Sequence, residues 1–139
     1  MYYLDASCCV ATVTPESGTA RASLWLDAHR EEPLAISLWV HVEVASALSM
    51  KVRIGSLNEE ERAAALTGWL SLRQSFRILG IPAGNFAAAA QMVERSELGL
   101  RAGDALHLAV AAAHGCTLVT LDERMAKAAP ELGVPVAAI

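Results

Sequence analysis

The chain has 139 residues, 54% of them hydrophobic and 19% charged, with a formal net charge of −4. That length and balance predict one soluble domain, residues 1–139, able to bury well over half of its unfolded surface. No apolar run approaches the roughly 20 residues of a membrane helix, and no basic segment precedes the N-terminal apolar residues as in a secretory signal, so a cytoplasmic protein without a membrane role is expected.

Tyr2 to Leu4, closed by Asp5, reads as a strand entering a loop. Cys8 and Cys9 follow; with Cys116 they make three cysteines without CxxC spacing, which reads as free, buried thiols of a reducing compartment and disfavours zinc. After Thr14-Pro15-Glu16-Ser17-Gly18, a helical period runs from about Thr19 to Arg30 on Ala22, Leu24, Trp25, Leu26 and Ala28, and Pro33 ends it. Leu34 to Ser37 predicts a second strand. Ser37 is placed to cap the next helix, which carries Val40, Glu43, Val44, Ala47 and Leu48 and stops near Gly55. Asn58 before Glu59-Glu60-Glu61 predicts a capped helix, its acids set against the helix dipole, reaching about Ser75.

Phe76 to Ile81 predicts a third strand. Asn85 is expected to cap a helix through Glu97 that Gly99 stops, and Gly103-Asp104 opens another to about His114. Cys116 to Leu121, rich in β-branched residues, predicts a strand buried on both faces. A short helix from about Glu123 to Ala129 precedes Pro130, and Val134 to Ile139 is the last strand expected. Alternating elements on short connections imply a three-layer α/β/α sandwich around a mainly parallel sheet of about five strands.

Four acids, Asp5, Glu43, Asp104 and Asp122, stand in or beside apolar stretches, while the others lie in polar runs or on expected exposed faces. A carboxylate near a core costs several kcal/mol unless it is paired, protonated or bound to a cation. The same segments offer no matching set of lysines and arginines. In an open parallel sheet, ligands bind at the carboxyl ends of the strands. Asp5 and Asp122 end predicted strands, Asp104 lies in a helix's first turn, and Glu43 lies in the first two turns of the helix after the second strand, so the four are expected to share one cleft. Capping of a helix is an alternative role for Asp104 and Asp122; a glutamate on an inward stripe has none. Carboxylates 4 Å apart repel by about 4 kcal/mol per pair at an effective dielectric near 20. Hard oxygen ligands in this number favour Mg²⁺ or Mn²⁺, whereas structural Ca²⁺ usually takes a contiguous ligand loop, which is absent. Setting these four aside leaves eleven acids against eleven bases, so the acidic balance does not exclude a nucleic-acid substrate. Arg73 and Arg77, Lys51 and Arg53, and Arg95 and Arg101 are candidates for phosphate contacts, or simply exposed helix-end charges.

At these residues the chain resembles a PIN domain, and within that family the toxin component of a VapBC-type toxin–antitoxin pair. Tyr-Leu-Asp5-Ala-Ser7 resembles the first acidic motif and Glu43-Val-Ala-Ser-Ala-Leu48 the second. Arg101-Ala-Gly-Asp104-Ala-Leu-His107-Leu-Ala109 resembles the third and Leu-Val-Thr120-Leu-Asp122-Glu-Arg-Met-Ala126 the fourth. The resemblance implies a Mg²⁺- or Mn²⁺-dependent endoribonuclease, neutralised by a small cognate antitoxin and homodimeric. By position it implies a catalytic set of Asp5, Glu43, Asp104 and Asp122. Asp5 and Asp104 would hold the ion, with Glu43 and Asp122 acting directly or through water. Ser7, Thr120 and His107 would support them, although a helix cap at Ser7, a strand-end hydroxyl at Thr120 and a core role for His107 are equally simple readings. Gly103 departs from the pattern, in which a larger residue often precedes the third acid.

Three other readings compete. A haloacid-dehalogenase-class phosphatase also places an aspartate after its first strand, but needs a second two residues later, where this chain has Ser7. A flap-type nuclease would need additional acids and insertions for which the chain has no room. A degenerate PIN domain serving only as an interaction module is the non-enzymatic alternative. Trp25, Trp39 and Trp69 fall on helical faces and suit the core, a homodimer contact or a groove for an antitoxin helix.

Overall fold

Tyr3 and Leu4 are wholly buried, and their strand, β1 (Tyr2–Leu4), lies inside a four-stranded sheet in the computed structural model, which describes residues 1–139. The other strands are β2 (Leu34–Ser37), β3 (Arg77–Leu79) and β4 (Thr117–Val119), in the order β3-β2-β1-β4, and every pairing is parallel. Parallel neighbours require crossover connections, and each here holds two helices. These are α1 (Ala6–Val13) and α2 (Thr19–Ala28), then α3 (Leu38–Arg53) and α4 (Glu59–Leu72), then α5 (Ala83–Glu94) and α6 (Ala102–Ala113); α7 (Glu123–Ala128) follows β4. Helix α1 packs on α2, α3 and α4, while α5 and α6 pack on one another. The result is the expected three-layer α/β/α sandwich. One contiguous core joins Tyr3, Ile36 and Leu118 of the sheet to Val44, Leu48, Trp69 and Val110 of the helices.

The chain proceeds from β1 to one side, through β2 and β3, and then returns to β1's other edge as β4. The reversal between β1 and β4 is the switch point at which an open parallel sheet forms its ligand crevice. Register fixes what meets there: Leu4 pairs with Val119, so Asp5 and Thr120 leave the sheet side by side.

Several elements differ from the sequence expectation. Residues after Asp5 form α1 rather than a loop; Cys8, Cys9, Val10 and Ala11 are all buried, so this helix has no polar stripe to reveal its period. The sheet has four strands, not about five. The segment from Val134 onward makes a single bridge, Leu118 to Val136, because Pro135 lacks an N–H and accepts only from Leu118 N–H, at 2.8 Å. Asn85 is not a cap: α5 starts at Ala83 after Pro82, and Asn85 is buried inside it, donating from Nδ2 to Ala109 O of α6 at 2.9 Å. That helix stops at Glu94, and Gly99, at φ +61°, closes the single 3₁₀ turn that follows. Ser37 precedes α3 but does not cap it with its side chain. Asn58, by contrast, makes a full capping box with Glu61. Trp25 and Trp69 belong to the core, and Trp39 is half-buried.

Replacing Asn85 with Ala removes one buried side-chain bond between α5 and α6, and is expected to lower unfolding free energy by about 1 kcal/mol in urea titration. No measurable loss would show that the α5–α6 seam does not depend on it.

Candidate active site

Asp5 is 3% exposed, and both its oxygens are engaged. It caps α1 by accepting Cys8 N–H at 3.2 Å; Ser7 Oγ lies 2.7 Å from Oδ1 and 2.9 Å from Oδ2, and Thr120 Oγ1 donates to Oδ2 at 2.8 Å. The two hydroxyls are themselves aimed by backbone. Leu121 N–H donates to Ser7 Oγ at 2.8 Å, and Asp122 N–H to Thr120 Oγ1 at 2.9 Å. Each hydroxyl therefore passes the pull of an amide dipole on to the carboxylate. The cap of α1 is Asp5 and not Ser7, whose hydroxyl serves the acid instead. Burial pushes the Asp5 carboxyl above its ordinary range, while nearby His107 and the bonds from Ser7, Thr120 and Cys8 oppose that shift.

Glu43 begins a second line. Its Oε2 meets His107 Nε2 at 2.5 Å, His107 Nδ1 meets Tyr3 OH at 2.9 Å, and Tyr3 OH meets Ser37 Oγ at 2.8 Å. A carboxylate only accepts, so Nε2 carries the proton toward Glu43. With the imidazole neutral, Nδ1 accepts from Tyr3 O–H, which in turn accepts from Ser37 O–H; with it protonated, Nδ1 donates to Tyr3 OH instead. Burial pushes the Tyr3 phenol well above its usual value, against the bond from Ser37, so Tyr3 keeps its proton. The line joins α3, α6, β1 and β2. Tyr3 and Ser37 were missed from sequence, where each reads as an ordinary strand residue; a tyrosine two positions before Asp5 was the available signal. Gly103 has a steric role. A Cβ there would lie 2.8 Å from Glu43 Oε1, so a larger side chain would crowd Glu43 away from His107.

Asp104 and Asp122 both act as local caps. Asp104 Oδ2 accepts Arg101 N–H at 2.9 Å at the start of α6, and Asp122 Oδ1 accepts Met125 N–H at 2.9 Å at the start of α7. Each keeps its other oxygen free of a hydrogen-bond partner, as Glu43 does. No lysine or arginine side chain makes an ion pair with any of the four acids. Their oxygen-only chemistry and uncompensated charge suit a hard divalent cation. As the side chains stand, no three acidic, histidine or cysteine groups are gathered closely enough to hold one ion together. Cys8 and Cys9 supply no nucleophile: both are buried, which pushes their thiols up and keeps them protonated.

The PIN domain family model matches residues 2–130. Among solved structures, the chain is similar to PAE2754 of Pyrobaculum aerophilum, with 29% identity over 91% of this chain and 84% of that one and a TM-score of 0.64. It is similar to FitAcB of Neisseria gonorrhoeae, at 24% identity over 99% and 97% of the two chains and a TM-score of 0.74. It is also similar to VapC20 of Mycobacterium tuberculosis, a sarcin–ricin-loop-cleaving toxin, at 19% identity over 92% and 95% and a TM-score of 0.72. The last two are likenesses of fold. No curated protein matches the chain.

The hydroxyl contacts on Asp5 carry a pH signature. A donor stabilises the ionised carboxylate more than the protonated acid, so Thr120→Val raises the Asp5 pKa further above its unfolded value near 3.9. Its cost is expected to be about 2 kcal/mol where Asp5 is ionised, and to shrink as pH falls through the folded-state pKa. Urea unfolding from pH 4 to pH 8 measures this; a pH-independent loss would mean that Thr120 does not act on the charge.

Proposed function

Because the chain belongs to the PIN domain family, we propose that it is a metal-dependent endoribonuclease hydrolysing RNA phosphodiester bonds, the toxin of a toxin–antitoxin pair, and that residues 1–139 form one such unit. The observation that carries the proposal is Asp5: a buried carboxylate at the sheet's switch point, held by two amide-aimed hydroxyls and paired with no lysine or arginine. Nothing in a purely structural role requires that arrangement. In this reading Asp5 and Asp104 hold Mg²⁺ or Mn²⁺, with Glu43 and Asp122 completing the set directly or through water. When bound, such an ion lowers the pKa of water and stabilises charge developing on the phosphate.

The chain's own residues set the conditions for this. Ser7 and Thr120 hold Asp5 in one rotamer. His107, braced by Tyr3, holds Glu43 Oε2 and leaves Oε1 to take a proton from the attacking water. Glu43 and Ser7 both line a cleft of about 540 Å³, which gives a substrate access to this part of the site.

Partners are proposed from surfaces. The apolar cleft of about 570 Å³ between α1, α2 and α4, lined by Val13, Leu26, Leu57 and Leu72, suits a helix of a small antitoxin. A second apolar groove, at Trp39, Phe86, Val93 and Leu106, suits a second copy of the chain. No helix is long and apolar enough to cross a membrane, and the free thiols of Cys8, Cys9 and Cys116 support a reducing, cytoplasmic setting.

Asp5→Asn is expected to abolish Mg²⁺-dependent RNA cleavage while leaving the far-UV dichroism unchanged, and chelator should silence the natural chain. Millimolar Mn²⁺ should raise the natural chain's melting temperature more than that of the variant. Cleavage that survives both the substitution and chelator would sink the assignment; absence of cleavage and of any Mn²⁺ shift would instead favour the interaction-module reading. A monomeric mass by light scattering would remove the second copy from the proposal.

A further inference from the structure

Three cations line the cleft that opens beside Glu43 and Ser7. Lys51 and Arg53 come from the last turn of α3, and Arg101 from the residue that precedes α6. Arg53 and Arg101 make no ion pair. Lys51 does: its Nζ meets Glu16 Oε1 at 2.5 Å, with only 16% of the lysine side chain exposed. Glu16 belongs to the loop between α1 and α2, which is pinned locally, its N–H donating to Thr19 Oγ1 at 2.8 Å. A carboxylate oxygen thus sits against an ammonium in a cleft whose other two cations have no counter-charge. The chain's net charge is −4, so a polyanion can dock only where its few bases are gathered. This cleft gathers three of them beside the carboxylate set to work on a phosphodiester.

We propose that Lys51, Arg53 and Arg101 form the seat for RNA backbone phosphates flanking the bond cut at the acidic centre, and that Glu16 occupies Lys51 until a phosphate displaces it. The proposal rests on the ribonuclease reading and adds the substrate's path to it. An ammonium is a point charge that accepts carboxylate or phosphate oxygen in the same place, so the exchange needs no rebuilding of the cleft. Glu16 then swings to solvent, and the seat holds three positive charges opposite Glu43. Binding is therefore independent of base identity at this position and dependent on salt.

The test is fluorescence anisotropy of a labelled, mixed-sequence single-stranded 12-mer RNA with the full chain in chelator, from 50 to 200 mM salt. Lys51→Gln, Arg53→Gln and Arg101→Gln should each weaken binding by about threefold to fivefold, the range of a partly exposed ion pair. Each should also flatten the log–log salt slope by about 0.7. Lys51→Arg should restore the affinity lost in Lys51→Gln, which separates charge from packing. Glu16→Gln should tighten binding by about twofold to fivefold, and Arg30→Gln, far outside the cleft, should leave it unchanged. If the three cleft variants lose no more than Arg30→Gln while the natural chain binds and cuts RNA, the seat is elsewhere and the ribonuclease reading stands. If Glu16→Gln does not tighten binding, Glu16 is no competitor. If the natural chain neither binds nor cuts RNA, both readings fall.

Discussion

A carboxylate with 3% exposure at the end of the central strand is the constraint on which the rest of this structure depends. An unpaired buried charge costs several kcal/mol, and no lysine or arginine pairs with Asp5. Its compensation comes from nearby His107 and from amide dipoles, directly from Cys8 N–H and through Ser7 and Thr120 from Leu121 and Asp122 N–H. That assembly works only if β4 lies beside β1 in the observed register and if α1 begins immediately after Asp5. Sheet order, helix start and site geometry are therefore one requirement met three times. The compensation remains incomplete, since burial still raises the carboxyl's pKa.

The second line, from Glu43 through His107 and Tyr3 to Ser37, performs a different task. It draws one side chain from each of α3, α6, β1 and β2 and fixes the imidazole's orientation from both nitrogens. Glu43 is thereby held at one oxygen and left open at the other. Gly103 completes the arrangement by omission, since its missing Cβ is the space Glu43 Oε1 uses. Tyr3 and Asp5, two residues apart on one short strand, anchor the two lines, so a slip of β1 would disable both.

Much of the architecture was legible because its signals are local. Asn58 with Glu61, the helical period of α3 and the opening of α6 at Gly103-Asp104 each act within a few residues, and those three helices formed close to where they were expected. Reading failed where packing overrode the local pattern. Helix α1 is buried at four successive positions and so shows no amphipathic period. Asn85 looks like a cap by type but spends its amide on Ala109 of the neighbouring helix. The last apolar segment has strand composition, yet Pro135 restricts it to a single bridge.

The candidate site divides in the same way. The sequence by itself determined which acids stand in apolar company, that Asp5 ends a strand and that Glu43 and Asp104 stand near helix starts, because those signals are written next to each acid. Asp122, expected at the end of the fourth strand, instead lies three residues beyond Val119 and opens α7. The sequence also determined that Asp104 and Asp122 had capping roles open to them, which both fill. Only the tertiary structure decided what holds Asp5 and Glu43. Thr120 lies 115 positions from Asp5, His107 lies 64 from Glu43, and Tyr3 lies 104 from His107. Hydrogen bonds across such separations depend on strand order and helix packing, and those follow from how the whole core closes rather than from any segment read alone.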